Sequence, residues 1–259
     1  MTQREFISEA VKMFPNNKIV ATIEARMTSS RFPGKVLMDF CGKPSLQHII
    51  ERLRRSKYID DVIVATTVNK EDDPIVNLCK SLGCRYYRGS EDDVLDRVLK
   101  TAKSIDGDVI VEITGDCPLI DWRHADFLIK KLFESDYDYS SNIIERTFPD
   151  GFDVQVFYTS VLEEVSNITQ DPSDREHVSL YIYNHPGKYK LYNWSAPEKL
   201  HYPQYAVTLD TIEDYELIKL IYENLYYKNP DFDAHDVVEF LLHNQKLLDI
   251  NNHIERKGV

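Results

Sequence analysis

The chain has 259 residues, 42% of them hydrophobic, and a formal net charge of −12 from 31 basic and 43 acidic side chains. That apolar content supplies a buried core and excludes a disordered chain, and the acidic balance excludes a nonspecific nucleic-acid binder, which needs a basic face. The longest apolar runs are strand-sized and too short to cross a bilayer, so no membrane segment is expected.

Residues 1–17 lack the basic flank and apolar core of a secretory signal, so we expect a cytoplasmic protein. They read instead as a short amphipathic arm carrying Phe6, Ile7, Val11 and Phe14 at roughly helical spacing. A β-branched run over residues 18–23 predicts a buried first strand. A helix over residues 45–55 follows Pro44 and is striped with Leu46, Ile49, Ile50 and Leu53. Residues 61–67 predict a second strand, and a helix follows with Asp73 as its N-cap, Pro74 in its first turn and Gly83 just past its end. Residues 84–88 predict a third strand. Ser90 is expected to cap a helix running to about Ser104, with Val94, Leu95, Val98 and Leu99 inward, before a fourth strand at residues 108–114. This alternation implies right-handed βαβ units, a parallel sheet covered on both faces, and ligand sites in the loops leaving the strands' C-terminal ends.

The rhythm changes after Asp121. A helix bearing Ala125, Leu128, Ile129, Leu132 and Phe133 leads to strands at residues 137–142 and 153–158. Helices at residues 160–167 and 173–184 precede strands at 189–194 and 205–210. A helix through Tyr215, Ile218, Ile221, Tyr222 and Leu225 follows, and a last one starts near Ala234. No boundary is rich in Gly, Pro or Ser, so residues 18–259 read as one domain. Cys41, Cys79, Cys84 and Cys117 form no C-x-x-C pair and read as free thiols rather than a zinc site or disulfide framework.

Three segments carry chemistry. Between Arg26 and Lys57 eight Lys or Arg face only Asp39 and Glu51, a local anion site in an acidic protein. Within it, residues 25–35 leave the first strand with small residues and the cations Arg26, Arg31 and Lys35, the composition a triphosphate needs. It is neither a Walker A loop nor a G-x-G-x-x-G fingerprint, and a solvated basic loop fits the composition equally. Asp116 follows the fourth strand beside Gly115, placed either to bind Mg2+ or to cap a turn before Pro118. Asp210 stands at the end of the predicted 205–210 strand, where it or Thr211 could instead cap the next helix. Two strand-end aspartates converging on one Mg2+ would match that ion's habit of taking one or two carboxylates.

The ordered motifs Arg26-x-x-Ser-Ser-Arg31-Phe-Pro-Gly-Lys35, Gly115-Asp-Cys-Pro-Leu-Ile120 and Leu209-Asp-Thr-x-Glu-Asp214 resemble the CTP-dependent sugar-acid transferases. That group includes 3-deoxy-manno-octulosonate and acylneuraminate cytidylyltransferases. Residues 88–97, 149–156 and 174–178 are similar to one branch, the spore coat polysaccharide biosynthesis protein F family, and the likeness runs from about Lys18 to Asn251-Asn-His-Ile-Glu255. The resemblance implies a Rossmann-like, GT-A-like α/β nucleotidyltransferase fold with a mixed, mainly parallel central sheet and helices on both faces. Residues 18–121 would bind CTP, and residues 122–259 would hold the acceptor and a dimer surface. Arg26, Arg31, Lys35 and Asp116 would be catalytic, with Asp116 and Asp210 on Mg2+ (Mn2+ being the alternative ion). Ala25, Ser30, Thr66, Arg88, Gly89, Ser90, Thr114 and Gly115 would complete the nucleotide site. Asp150, Asp153, Arg175, Glu176 and His177 would meet a small anionic or polyol acceptor, although a helix face with an ion pair and a buried histidine accounts equally for Arg175 to His177. The implied enzyme is a homodimer that moves CMP from CTP to a sugar acid for surface glycan synthesis. Two other classes compete. A nucleotide-sugar glycosyltransferase would use an Asp-x-Asp motif, for which Asp136-x-Asp138 is the candidate, and a noncatalytic nucleotide binder would have no need to keep all five charged residues.

Overall fold

The computed structural model describes residue 14 and residues 16–256, so Phe6, Ile7 and Val11 of the expected arm lie outside the described residues. Phe14 stacks on Phe133 with centroids 4.3 Å apart. Strands β1 (Ile19–Glu24), β4 (Asp61–Thr67), β5 (Arg85–Gly89) and β6 (Val109–Thr114) run parallel, and β1, β4 and β6, buried in the middle of the sheet, are rich in β-branched residues while the edge strand β5 is not. With β7 (Tyr139–Ser141), β8 (Gln155–Tyr158) and β9 (Leu191–Asn193) they make a seven-stranded sheet ordered β5-β4-β1-β6-β8-β7-β9. β8 is antiparallel to both β6 and β7, and β7 pairs parallel with β9, so the sheet is mixed and mainly parallel. A separate hairpin, β2 (Asp39–Phe40) with β3 (Lys43–Pro44), was not predicted.

Helices cover both faces. On one lie α1 (Ser45–Leu53), α2 (Asp73–Ser81) and α4 (Trp122–Glu134), whose Leu46, Ile50, Ile75 and Leu128 pack with Ile19, Ala21 and Ile23. On the other lie α3 (Val94–Lys103) and α5 (Thr159–Ile168), whose Leu95, Val98 and Leu162 pack with Val20, Ile63 and Ile110. Strand side chains alternate between faces, so Glu24 follows Val20, and Glu112 follows Ile110, onto the α3 face. A third cluster gathers α8 (Ile212–Leu225) and α9 (Ala234–His243) around Phe148, Phe152, Val207 and Leu209. No helix among the described residues is long and apolar enough to cross a membrane.

Four local expectations need correction. Residues 205–210 are extended, but their bonds go to two loops rather than to a ladder. Asp150 N–H donates to Tyr205 (2.9 Å), Val207 N–H to the Asp150 carbonyl (2.7 Å) and Leu209 N–H to the Asp116 carbonyl (2.8 Å), with one isolated bridge at Asp150 and Ala206. The helix expected at residues 173–184 breaks into α6 (Pro172–Glu176) and α7 (Leu180–Tyr183), because Val178 turns to φ 43° while burying its side chain in the α3-face cluster. Asp93, not Ser90, caps α3, accepting from Asp96 N–H at 3.0 Å, while the Ser90 hydroxyl oxygen accepts from Asp93 N–H at 3.1 Å. Asp73 is the first residue of α2 rather than its cap.

Gly151 lets the 149–151 loop lie against the 205–210 segment. Its φ is +113°, and a Cβ there would stand 2.7 Å from the Val207 carbonyl carbon. We expect Gly151→Ala to lower unfolding free energy by about 2–4 kcal/mol in urea melts, and Gly187→Ala, which meets nothing within 4 Å, to stay within about 0.5 kcal/mol of the unmodified protein.

Candidate active site

After β1 the chain moves to β4 on one side, while β6 lies on the other. Loops leaving β1 and β6 therefore part company and open a crevice at the strands' C-terminal edge. The loop after β1 is tethered at several points. Ala25 N–H donates to Ala65 (3.2 Å), Gly34 N–H closes back on Met27 (2.9 Å), and Met27 N–H donates to Asp72 Oδ1 (2.7 Å). Asp72 is fully buried, and its other oxygen takes the Thr67 N–H (3.1 Å) and hydroxyl. The loop after β6 lies against β1 through Gly115 N–H to the Glu24 carbonyl (2.8 Å), an approach only glycine permits, since a Cβ would stand 2.5 Å from that oxygen.

Lys35 occupies the centre. It starts a short 3-10 turn (Lys35–Leu37) behind left-handed Gly34, and its Nζ stands 3.0 Å from Asp116 Oδ2 and 2.8 Å from Asp210 Oδ1. Arg31 Nη2 approaches the second Asp210 oxygen at 3.0 Å. Burial would depress the Lys35 ammonium, but Asp116 and Asp210 outweigh it and hold it above the usual lysine range. Burial would raise the Asp116 carboxyl, but Lys35 and a Thr114 hydrogen bond hold it below the usual aspartate range. Asp210 is oriented from behind. Its N–H donates to Asp214 Oδ2 (3.0 Å), Thr211 caps α8 in a capping box with Asp214, and fully buried Asp214 is paired by Arg256 (2.6 Å) and Asn251 (2.8 Å).

The two carboxylates fit a divalent cation. They already converge on a positive charge, the Lys35 ammonium, and Mg2+ needs only one or two carboxylates when phosphates and water complete its shell. No group of three or more His, Cys, Asp or Glu side chains among the described residues offers a fuller cage.

Of the predicted nucleotide residues, Ala25, Arg26, Ser30, Arg31, Lys35, Thr114 and Gly115 line one cleft of about 390 Å³ with Asp116 and Asp210. Arg26 Nη1 lies 3.4 Å from Glu91, which also takes the Thr28 hydroxyl. Thr66, Arg88, Gly89 and Ser90 share that edge of the sheet without lining the cleft. Arg88 is spent on the Thr67 carbonyl (2.7 Å), the Asn69 carbonyl and Asp73 (2.7 Å). Gly89 makes room for Arg97, whose Cγ a Cβ would meet at 2.9 Å, and the Ser90 carbonyl accepts from Arg97 Nη1.

The predicted acceptor residues separate. Glu176 and His177 line the cleft, whereas Arg175 is bound to Asp93 (2.9 Å) and to Ser166, its ion-pair reading. Asp150 and Asp153 share Arg146 at 3.3 and 2.8 Å, and Asp150 borders a second cavity of about 900 Å³ with Arg146 and Arg256. Burial, reinforced by Asp153, pushes the Asp150 carboxyl up to about 6. The Asp136-x-Asp138 pair precedes β7, at the sheet edge opposite Asp116, and both carboxylates are held by Lys190. The glycosyltransferase reading thereby loses its motif.

Sequence reading missed Glu24, Val94 and Arg97, which also line the cleft. The available signal was a charge inside an apolar pattern: Arg97 on the buried face of α3, Glu24 ending a buried strand and Glu112 within another. Glu24 and Glu112 meet carboxyl to carboxyl beneath the cleft. Burial pushes Glu24 up to about 7 against the pull of Arg97, and burial together with the Glu24 charge pushes Glu112 well above the usual range.

A family model described as cytidylyltransferase matches residues 20–232. The spore coat polysaccharide biosynthesis protein SpsF of Bacillus subtilis is 37% identical over 235 residues, covering 88% of this chain and 95% of that protein. A 3-deoxy-manno-octulosonate cytidylyltransferase of Geobacter sulfurreducens is 40% identical over 119 residues, 45% of this chain and 46% of that enzyme. A solved cytidylyltransferase from Leptospira borgpetersenii is similar at a TM-score of 0.86 and 32% identity, over 93% of this chain and 100% of that one.

The Glu24–Glu112 pair sets a pH dependence. Both folded-state pKa values are raised, so the folded chain keeps protons that the unfolded chain releases, and stability falls as pH rises from about 4.5 through about 7. Glu112→Gln should therefore melt at higher temperature than the unmodified protein at pH 8, with the gap closing towards pH 5. A gap that is the same at both pH values would contradict this account.

Proposed function

The chain belongs to the cytidylyltransferase family, and from that membership we propose that it transfers CMP from CTP to a sugar acid or related polyol, releasing pyrophosphate, for a surface glycan. The observation that carries this reading is the meeting of Arg31, Lys35, Asp116 and Asp210 at the point where β1 and β6 diverge. An acceptor oxygen attacks the α-phosphorus in line, and the bond to pyrophosphate breaks as charge builds on the leaving oxygens. Arg26, Arg31 and Lys35 stand on one tethered loop, so they meet that charge without reorganising. On nucleotide binding, Lys35 and Arg31 exchange carboxylate for phosphate oxygens. Asp116 and Asp210, freed of the ammonium, would hold Mg2+ or Mn2+, which when bound neutralises phosphate charge. The protein's own contribution is alignment and exclusion of water. The similarity to enzymes named for octulosonate supports an acidic sugar as acceptor. The same reading makes the enzyme a cytoplasmic homodimer, supplied with CTP from the surrounding pool.

With Mg2+ and a panel of sugar acids and sugar phosphates, pyrophosphate release should be well above background with CTP and far lower with UTP, ATP or GTP. EDTA should abolish it. Consumption of no CTP across the panel, or release of a nucleoside diphosphate from a nucleotide sugar, would sink the reading. Asp116→Asn and Asp210→Asn should each lower kcat by about a hundredfold or more with the circular-dichroism spectrum unchanged. Undiminished turnover in either variant would remove that residue from the metal site.

A further inference from the structure

Asp72 stands at the N-cap of α2, where an aspartate ordinarily accepts from the first free N–H groups of its own helix, yet its side chain makes no such bond. It is fully buried and turned instead towards the loop after β1. The reason lies in where the sheet stops. The ladder between β1 and β4 runs out at Ala25, whose N–H donates to the Ala65 carbonyl (3.2 Å). The next N–H on that side is Met27's, but the Thr67 carbonyl that would continue the ladder accepts from Arg88 Nε instead (2.7 Å). Asp72 Oδ1 supplies the missing acceptor at 2.7 Å, while Oδ2 takes the Thr67 N–H (3.1 Å) and hydroxyl, so one carboxylate joins two diverging chains. Gly34 N–H closes on the Met27 carbonyl (2.9 Å), which makes Met27 the base of the turn that carries Arg31 and presents Lys35. A cap residue that leaves its own helix for a distant partner breaks a local rule, and such breaks gather at functional sites.

We propose that Asp72 is a positioning residue for the triphosphate: it fixes the base of the turn from Met27 to Gly34, and through it the placing of Arg31 and Lys35 against the phosphates. The inference rests on the proposed use of CTP and adds a residue that touches no substrate. A carboxylate accepting N–H groups makes shorter and stronger bonds than a neutral carbonyl does, so the substitute holds Met27 more firmly than the ladder would. The bonding continues on the far side, where the Thr67 hydroxyl oxygen accepts from Asn69 N–H (3.1 Å), Asn69 Nδ2 donates to Glu91, and Glu91 takes Thr28 and Arg26. The loop is thus held at Met27 from one direction and at Arg26 and Thr28 from another, while Arg31 and Lys35 line the cleft. Asp72→Asn keeps the shape but leaves one oxygen for two sides, so its NH2 meets the N–H of either Met27 or Thr67, and one of them loses its acceptor. A displacement of about 1 Å in a binding group can cost about a hundredfold in rate.

The test measures the binding of CTP and of CMP by calorimetry, with Mg2+ present and no acceptor. CMP lacks the pyrophosphate part that the loop would meet, so it reports on the rest of the cleft. Asp72→Asn should bind CTP about tenfold or more weakly than the unmodified protein, and CMP within about twofold of it. Loss of affinity for both ligands alike, or for neither, overturns the assignment and leaves Asp72 a support of the fold alone. Should Asp72→Asn fail to fold, Thr67→Val, which takes one donor from the carboxylate, decides the matter. It should bind CTP about threefold more weakly with CMP unaffected, Thr67→Ser should restore the affinity, and any other pattern overturns the assignment. An unmodified protein that binds no CTP overturns this inference together with the functional reading. A CTP-binding enzyme whose Asp72→Asn variant binds CTP as tightly as before overturns this inference alone.

Discussion

Two carboxylates of like charge, Asp116 and Asp210, sit close enough to share one ammonium, and the architecture around the cleft is arranged to hold them there. Their repulsion is offset by Lys35, whose Nζ lies within 3.0 Å of both. The backbone joins them as well, because the Asp116 carbonyl accepts from Leu209 N–H, immediately before Asp210. The extended segment that makes this bond also carries Val207, bonded to Asp150, so one short stretch of chain aligns the loops of both cavities. The third apolar cluster, with Val207 and Leu209 against Ile218, Tyr222 and Phe152, keeps that stretch in place. The second half of the chain therefore builds the Asp210 side of the cleft as well as a second cavity.

The strands β1, β4 and β6 were legible because burial on both faces writes itself as β-branched runs. The strand at residues 61–67 is found where the pattern put it, and so is the start of α1 at Ser45. The failures share a cause, which is that local composition does not name a partner. Residues 205–210 have strand character, but their hydrogen bonds go to loops distant in sequence. Ser90 and Asp93 both suit a cap, and they bond each other, so choosing between them needed geometry. The 173–184 pattern reads as one helix because Val178 is apolar at the right spacing, yet it reaches the core only by leaving helical φ.

Charges show the same limit at the site. Arg31, Lys35, Asp116 and Asp210 come together as the ordered motifs implied, whereas Arg88 and Arg175, equally prominent in those motifs, are consumed by Asp73 and Asp93. A guanidinium paired within the protein and one left for a ligand look identical in a sequence. Glu24 and Arg97 escaped notice for the opposite reason. Each sits in an otherwise apolar stripe, where a single charge passes for a helix flank or a strand end until the fold shows Arg97 buried and both side chains lining the cleft.

The orientation of Asp210 depends on residues past the stretch that the family model matches. The family match ends at residue 232, whereas Asn251 and Arg256, which satisfy Asp214 beneath Asp210, come later. Removing them would strand a fully buried carboxylate, a loss of about 3–5 kcal/mol borne at the foot of α8. A chain trimmed to the matched region would hold every residue proposed for phosphate and metal binding and still lack the buttress that aims one of them. For anyone seeking a minimal working unit by trimming or grafting, the boundary falls after Arg256, well beyond residue 232 where the family match ends.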